Sequence, residues 1–175
     1  VDLQPITTLD PFATAQHVSV ITTNHPALRV RVFAADPAKF TEYYRYLMRR
    51  DDADVAMPAW EVLSDAVLTV TGDSDSPVVT DIDLSKALQG KPGQVIVLVE
   101  SVPGVSPNSD HYWQNRPALS WVQSTNLGVD ALSDFRDLHT WVTDLRTGAP
   151  IEGASLSILS GSTVAPVTTD ADGLA

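Results

Sequence analysis

From Leu28 to Val32 apolar side chains alternate with arginines (Leu28, Val30 and Val32 against Arg29 and Arg31), the pattern of a half-buried strand. Similar strand-like runs span 18–22, 60–70 after Pro58, 78–82, 119–124 and 127–132. Further on, Leu138, Thr140, Val142 and Asp144 alternate with His139, Trp141, Thr143 and Leu145, and a second short run spans Ser155 to Leu159. Val95 to Val99 is the most apolar strand. Turn chemistry punctuates these runs at Asn24-His25-Pro26, Gly72–Pro77, Gly90-Lys91-Pro92-Gly93, Thr147–Pro150 and Asp170–Gly173.

One stretch changes period. Asp36 followed by Pro37 is a helix start, with Asp as cap and Pro at the first helical position. Phe40, Tyr43, Tyr44, Leu47 and Met48 then recur on one helical face. Arg49 and Arg50 suit the negative end of the helix dipole, so the helix ends near Arg50. It is expected to pack across the end of the sandwich. Leu84 to Leu88 makes a short helical turn, and residues 103–117 form a long loop. Together these signals predict a mainly β chain: an antiparallel β-sandwich of about seven strands with one inserted helix, plus the first strands of a second sandwich. The expected division is an entry segment 1–16, a sandwich domain 17–134, and an incomplete module 135–175 cut mid-sheet, as in a piece of a longer protein.

The order of motifs in the last third adds to this. Leu127-Gly128-Val129 is followed by Trp141-Val142-Thr143-Asp144-Leu145, Thr147-Gly148-Ala149-Pro150-Ile151-Glu152-Gly153-Ala154 and Thr169-Asp170-Ala171-Asp172-Gly173. This succession resembles the bacterial α2-macroglobulin family, where one macroglobulin (Ig-like) sandwich hands over to the next. Upstream, 28–33, 81–85 and 95–100 look like the preceding macroglobulin domain. The resemblance implies structural domains of a broad-range protease trap, working beside neighbouring macroglobulin domains and meeting target proteases only through the full-length protein. It also implies the periplasm or cell envelope, with a lipid-anchored inner-membrane protein among the parents it allows. The alternative class is an extracellular Ig-like or adhesin module that recognises glycan or peptide.

Charge and composition narrow the chemistry. The net charge of −11 disfavours phosphate-rich partners, nucleic acid included. With no cysteine, the segment lacks disulfides, thiolate sites and the thioester that many macroglobulins carry. No apolar run approaches the ~18 residues of a membrane span.

Candidate sites are few. His17, His25, His111 and His139 are scattered, without the spacing of metal ligands, so no metal is expected. Asp170-Ala171-Asp172-Gly173 opens like a calcium loop but lacks the later ligands, and an Asx turn explains it more simply. Asp73/Asp75 and Asp51/Asp52/Asp54 read as solvated turns. Gly104-Val105-Ser106-Pro107-Asn108 fails the nucleophile elbow, because Pro and Asn replace the residues that permit the strained turn. Gly90-Lys91-Pro92-Gly93 lacks the context of a phosphate loop. No catalytic residue and no cofactor is expected, and the chain is not read as an enzyme. The one binding surface the sequence suggests is an aromatic platform of Tyr112 and Trp113 with Arg116, set against their use as a plug over the sandwich end.

Overall fold

The computed structural model describes residues 1–52, 55–106, 109–110, 112–159 and 165–175. The chain divides into two compact units, Val1–Thr125 and Asn126–Ala175. The first holds β1 (Ile6–Leu9), β2 (His17–Thr22), β3 (Ala27–Ala34), α1 (Phe40–Arg49), β4 (Val62–Thr69) and β5 (Val78–Asp83). It continues with α2 (Ser85–Leu88), β6 (Gly93–Val102), α3 (Tyr112–Asn115) and β7 (Ala118–Ser124). The second holds β8 (Leu127–Ser133), β9 (Leu138–Asp144), β10 (Ser155–Leu156) and β11 (Val167–Thr168).

Within the first unit, five strands form one sheet in the order β1-β7-β6-β3-β4, and β2 pairs with β5 as a two-stranded ribbon. Alternation places the layers. Leu28, Val30 and Val32 of β3 and Val95, Val97 and Val99 of β6 point to one face, where Val18, Val20 and Ile82 of the ribbon complete a core. The opposite face carries Phe33, Ile96, Leu98, Leu119 and Trp121, and α1 covers it through Tyr43. β6 is therefore covered on both sides, which is why its sequence is continuously apolar rather than alternating. Each such fully buried side chain contributes about 1.5–3 kcal/mol.

The helix lies on the outer face of the five-stranded sheet, not across the sandwich end as its sequence position suggests. Asp36 and Pro37 do not open α1 itself: Asp36 Oδ1 accepts from the Ala38 amide and caps a 3-10 turn, Pro37–Lys39, and α1 follows with Lys39 at its N-cap and no side-chain cap. The buried stripe is also narrower than the pattern implies. Tyr43 is fully buried, with Phe40, Tyr46 and Leu47 beside it, whereas Tyr44 and Met48 are exposed. A ten-residue helix lying on a sheet offers it only a few turns of one narrow face, so Tyr46 enters that face and the next positions around the helix do not.

Two expected boundaries move. The stretch 1–16 is not merely an entry segment, because β1 pairs with β7 in register Ile6↔Trp121 through Leu9↔Ser124. That pairing is parallel, so the sandwich is not wholly antiparallel. The division between units falls after Thr125 rather than at 134/135. β8 pairs along its whole length with β9, Leu127↔Asp144 through Ser133↔Leu138, so it belongs with the second unit.

In that second unit Trp141 bridges Leu174 and Thr143 bridges Pro150, adding two short rungs to the outer side of β9. Val142, 1 % exposed, is its most buried apolar side chain. The Thr169 hydroxyl donates to the Ile151 carbonyl at 2.6 Å and accepts from the Ala154 amide. Asp144 organises the Thr147–Pro150 turn by accepting from the amides of Arg146 and Thr147. Those donors hold its carboxyl below the usual range. Gly173 has a left-handed φ of +75°, and a Cβ there would sit 2.5 Å from the Val142 carbonyl oxygen. Only glycine fits that turn.

Candidate functional site

The three residues singled out as a platform come together in space. The Ser109 carbonyl accepts from the Tyr112 amide at the start of α3, and the turn brings Tyr112 and Trp113 edge to face, 5.9 Å between ring centres. The Arg116 guanidinium lies 5.6 Å from the Trp113 ring centre, a cation–π distance. Trp113 remains 69 % exposed, so it does not plug the sandwich.

What the sequence does not signal is Asp51, at the end of α1 and about sixty positions upstream of the platform. Its Oδ2 accepts from Arg116 Nη1 at 2.9 Å and its Oδ1 from the Tyr112 hydroxyl at 3.1 Å. Asp51 therefore orients both ends of the platform. Burial pushes the Tyr112 phenol up, and its bond to the Asp51 carboxylate adds to the effect. Arg50 sits beneath. Burial lowers its pKa, as does the neighbouring Arg116 charge, and Asp51 opposes them. Among the described residues, its Nε and Nη1 are buried without a hydrogen-bond partner. The arrangement presents a fixed indole face beside a charged guanidinium.

One set of possible metal ligands exists among the described residues. Asp134, Asp137 and His139, all exposed, have ligand atoms within 4.8 Å of one another. Asp134 Oδ1 already accepts from the amides of Arg136 and Asp137, both at 2.7 Å, so that carboxylate closes the β8–β9 turn. The same donors hold its carboxyl below the usual range. The Asp-x-x-Asp-x-His spacing carries this proximity, although neither acid pairs with a histidine in a recognised motif. The calcium-like Asp170–Gly173 run forms an Asx turn, Asp170 Oδ1 accepting from the amides of Asp172 and Leu174. His17 lies 3.9 Å from Asp81 on the ribbon's outer face, a solvated pair. His111, Asp54, Pro107 and Asn108 lie outside the described residues.

One concavity with apolar walls lies in the second unit. A groove of about 540 Å3 runs between the β8–β9 sheet and the β10–β11 pair, lined by Val129, Ala131, Leu138, Leu156, Ile158 and Val167. It is the inner face of a sheet with few strands over it.

No model of a known protein family matches the sequence, and no curated protein matches it. Solved structures do match the fold. A segment of native Escherichia coli alpha-2-macroglobulin spanning domains NIE-MG1 superposes with a TM-score of 0.67 at 17% identity, covering 99% of this chain and 86% of that one. A longer segment spanning MG0-NIE-MG1 gives 0.62 at 17% identity, covering 98% and 54%. A Salmonella alpha-2-macroglobulin mutant gives 0.55 at 15% identity, covering 98% of this chain and 10% of that one. The chain thus spans most of a two-domain segment and about a tenth of the longest of these relatives. At such identities the likeness speaks to fold, and with the two units now described it supports one conclusion: the chain folds as a bacterial alpha-2-macroglobulin-like domain pair, of the kind seen in NIE-MG1.

Proposed function

We propose that this chain forms two consecutive structural domains of a bacterial alpha-2-macroglobulin-like broad-range protease inhibitor, in the periplasm or cell envelope. The observation that carries the reading is the NIE-MG1 likeness across 99% of the chain, which takes in both units. In a trap of this kind a protease cuts a bait region and the surrounding domains rearrange to enclose it. This segment has no cysteine, so any internal thioester belongs to another part of the parent. Its role is architectural. The doubly covered strand β6 gives the first unit a rigid body, and the segment's partners are the neighbouring macroglobulin domains. Target proteases are met only through the whole protein. No helix among the described residues is long and apolar enough to cross a membrane.

The intact mass of the native polypeptide that carries this sequence tests the reading. It is captured from cell-envelope extract with an antibody raised against residues 1–175. A polypeptide several-fold larger than this chain supports the trap. A mature product no larger than this chain removes it.

A second reading rests on Trp113. Its exposure, with Arg116 against the ring and Asp51 holding Arg116 and Tyr112, favours an extracellular Ig-like module that takes glycan or peptide. Saturable binding on a glycan array or by calorimetry, lost in Trp113→Ala, supports this reading. Absence of binding across both ligand classes removes it.

A further inference from the structure

The ion pairs beside the Trp113 platform leave one cation over. Arg49 Nε bonds Asp52 at 3.0 Å and Arg116 Nη1 bonds Asp51 at 2.9 Å. Arg50, at the C-terminal end of α1, makes no ion pair among the described residues. Its Nε and Nη1 are nonetheless shut away from solvent. A guanidinium stripped of water at two nitrogens is ordinarily compensated by a carboxylate. The negative end of the helix offers it only part of a charge. Nη2 is the nitrogen left open to a partner.

The groups around Arg50 do not supply that partner. Arg116 adds a second positive charge, which together with burial lowers the Arg50 pKa. Asp51 is the carboxylate nearby, but its oxygens are engaged by Arg116 and by the Tyr112 hydroxyl. Tyr43 and Tyr46 also face Arg50, and both are neutral phenols, since burial pushes their pKa values up. Two guanidiniums therefore share one carboxylate, in a chain whose net charge is −11. Arg116 carries this unbalanced charge to the Trp113 ring, 5.6 Å from its guanidinium, and the indole is 69 % exposed.

We propose that Arg50 and Arg116 take the carboxylate of an acidic sugar, a uronate unit of a glycan, whose ring stacks on Trp113. The proposal rests on the reading of Trp113 as a binding face and gives that face its ligand class. A sugar ring needs only an open indole and flanking donors, which the platform has. A peptide bound by strand addition needs a free strand edge, and Trp113 stands on a four-residue helix.

An oligogalacturonate and its fully methyl-esterified form present the same rings with and without charge. Calorimetric titration of each into the 175-residue chain is expected to show the acid bound at least about tenfold more tightly. That advantage shrinks as salt rises from about 20 mM to about 500 mM. Arg50→Met keeps a packed stem and brings the acid down to the affinity of the ester, with the ester unchanged. Trp113→Ala abolishes binding of both, and circular dichroism is unchanged in either variant. Equal binding of acid and ester by the native chain overturns the proposal and leaves the Trp113 reading standing. Binding of neither overturns it together with the glycan half of that reading. A preference for the acid that survives Arg50→Met places the anion elsewhere and overturns it too. A hexaglutamate peptide bound as tightly as the oligogalacturonate overturns the sugar in favour of an acidic peptide. The same titration on the native parent polypeptide is expected to match. Binding lost there overturns the proposal by showing that a neighbouring domain covers the platform.

Discussion

The hydroxyl of Tyr43, buried beneath α1, donates to the carbonyl oxygen of Pro5, which also accepts from the Trp121 amide. One backbone oxygen thus joins the helix, the N-terminal segment and the central sheet. Around it Tyr43, Phe40, Trp60 and Trp121 pack edge to face or tilted, with ring centres 5.2–6.3 Å apart. The helix stays on the sheet through this cluster, since α1 has only ten residues and little stability of its own.

Tyr43→Phe removes that hydrogen bond and keeps the ring. The expected cost is about 1 kcal/mol, read as a lower midpoint in urea with an unchanged slope. The pH dependence gives a second readout. Burial pushes the Tyr43 phenol up to about 12. A folded pKa above the unfolded one means its contribution is complete below pH ~10 and fades as pH rises toward ~12. Tyr43→Phe should therefore lose less stability than the native chain across that alkaline window. An identical loss in both would assign the alkaline sensitivity to other groups.

Ile96→Ala probes the helix face of the strand covered on both sides. Ile96 is 1 % exposed, so truncation removes buried area and leaves a cavity. The expected destabilisation is about 2–5 kcal/mol. Thermal unfolding of the first unit reads it directly, and a loss under about 1 kcal/mol would mean the helix face is loosely packed.

Gly173→Ala tests the second unit by itself. The left-handed φ costs a residue with a side chain about 1–2 kcal/mol, and the contact with the Val142 carbonyl adds to it. Hydrogen exchange at Val142 and Thr140, whose amides donate to Gly173 and Ala175, should accelerate. Exchange in β3 and β6 should not change.

The same reasoning predicts that the second unit is the less stable of the two. Its β8–β9 face lines an open groove, whereas β6 is buried from both sides. Amide protection across 126–175 is expected to fall below that of 17–125. Uniform protection over both would contradict this.

Much of the architecture was legible because alternation and turn chemistry are local. β3, β9 and the Asx turn at Asp170 follow from residues a few positions apart. β1 was not legible, because Ile6–Leu9 is short and its partner β7 lies more than a hundred residues away. The division at Thr125 was hidden for a related reason: only the β8–β9 pairing assigns 127–133 to the second unit. The helix stripe failed at Tyr44 and Tyr46 because periodicity gives a face and not the breadth of sheet that meets it. At the platform, sequence proximity gave Tyr112, Trp113 and Arg116. Asp51, which orients them, arrives only through the fold.

The proposed role of this domain pair is in a protease-responsive trap. The most direct test captures the native polypeptide and treats it with an endopeptidase, following its migration on native gels and the activity of the bound protease. The account predicts a discrete mobility shift after cleavage. It also predicts a retained protease that still hydrolyses a small chromogenic peptide but no longer digests a protein substrate. An unchanged mobility, or a bound protease equally active on both substrates, would contradict it.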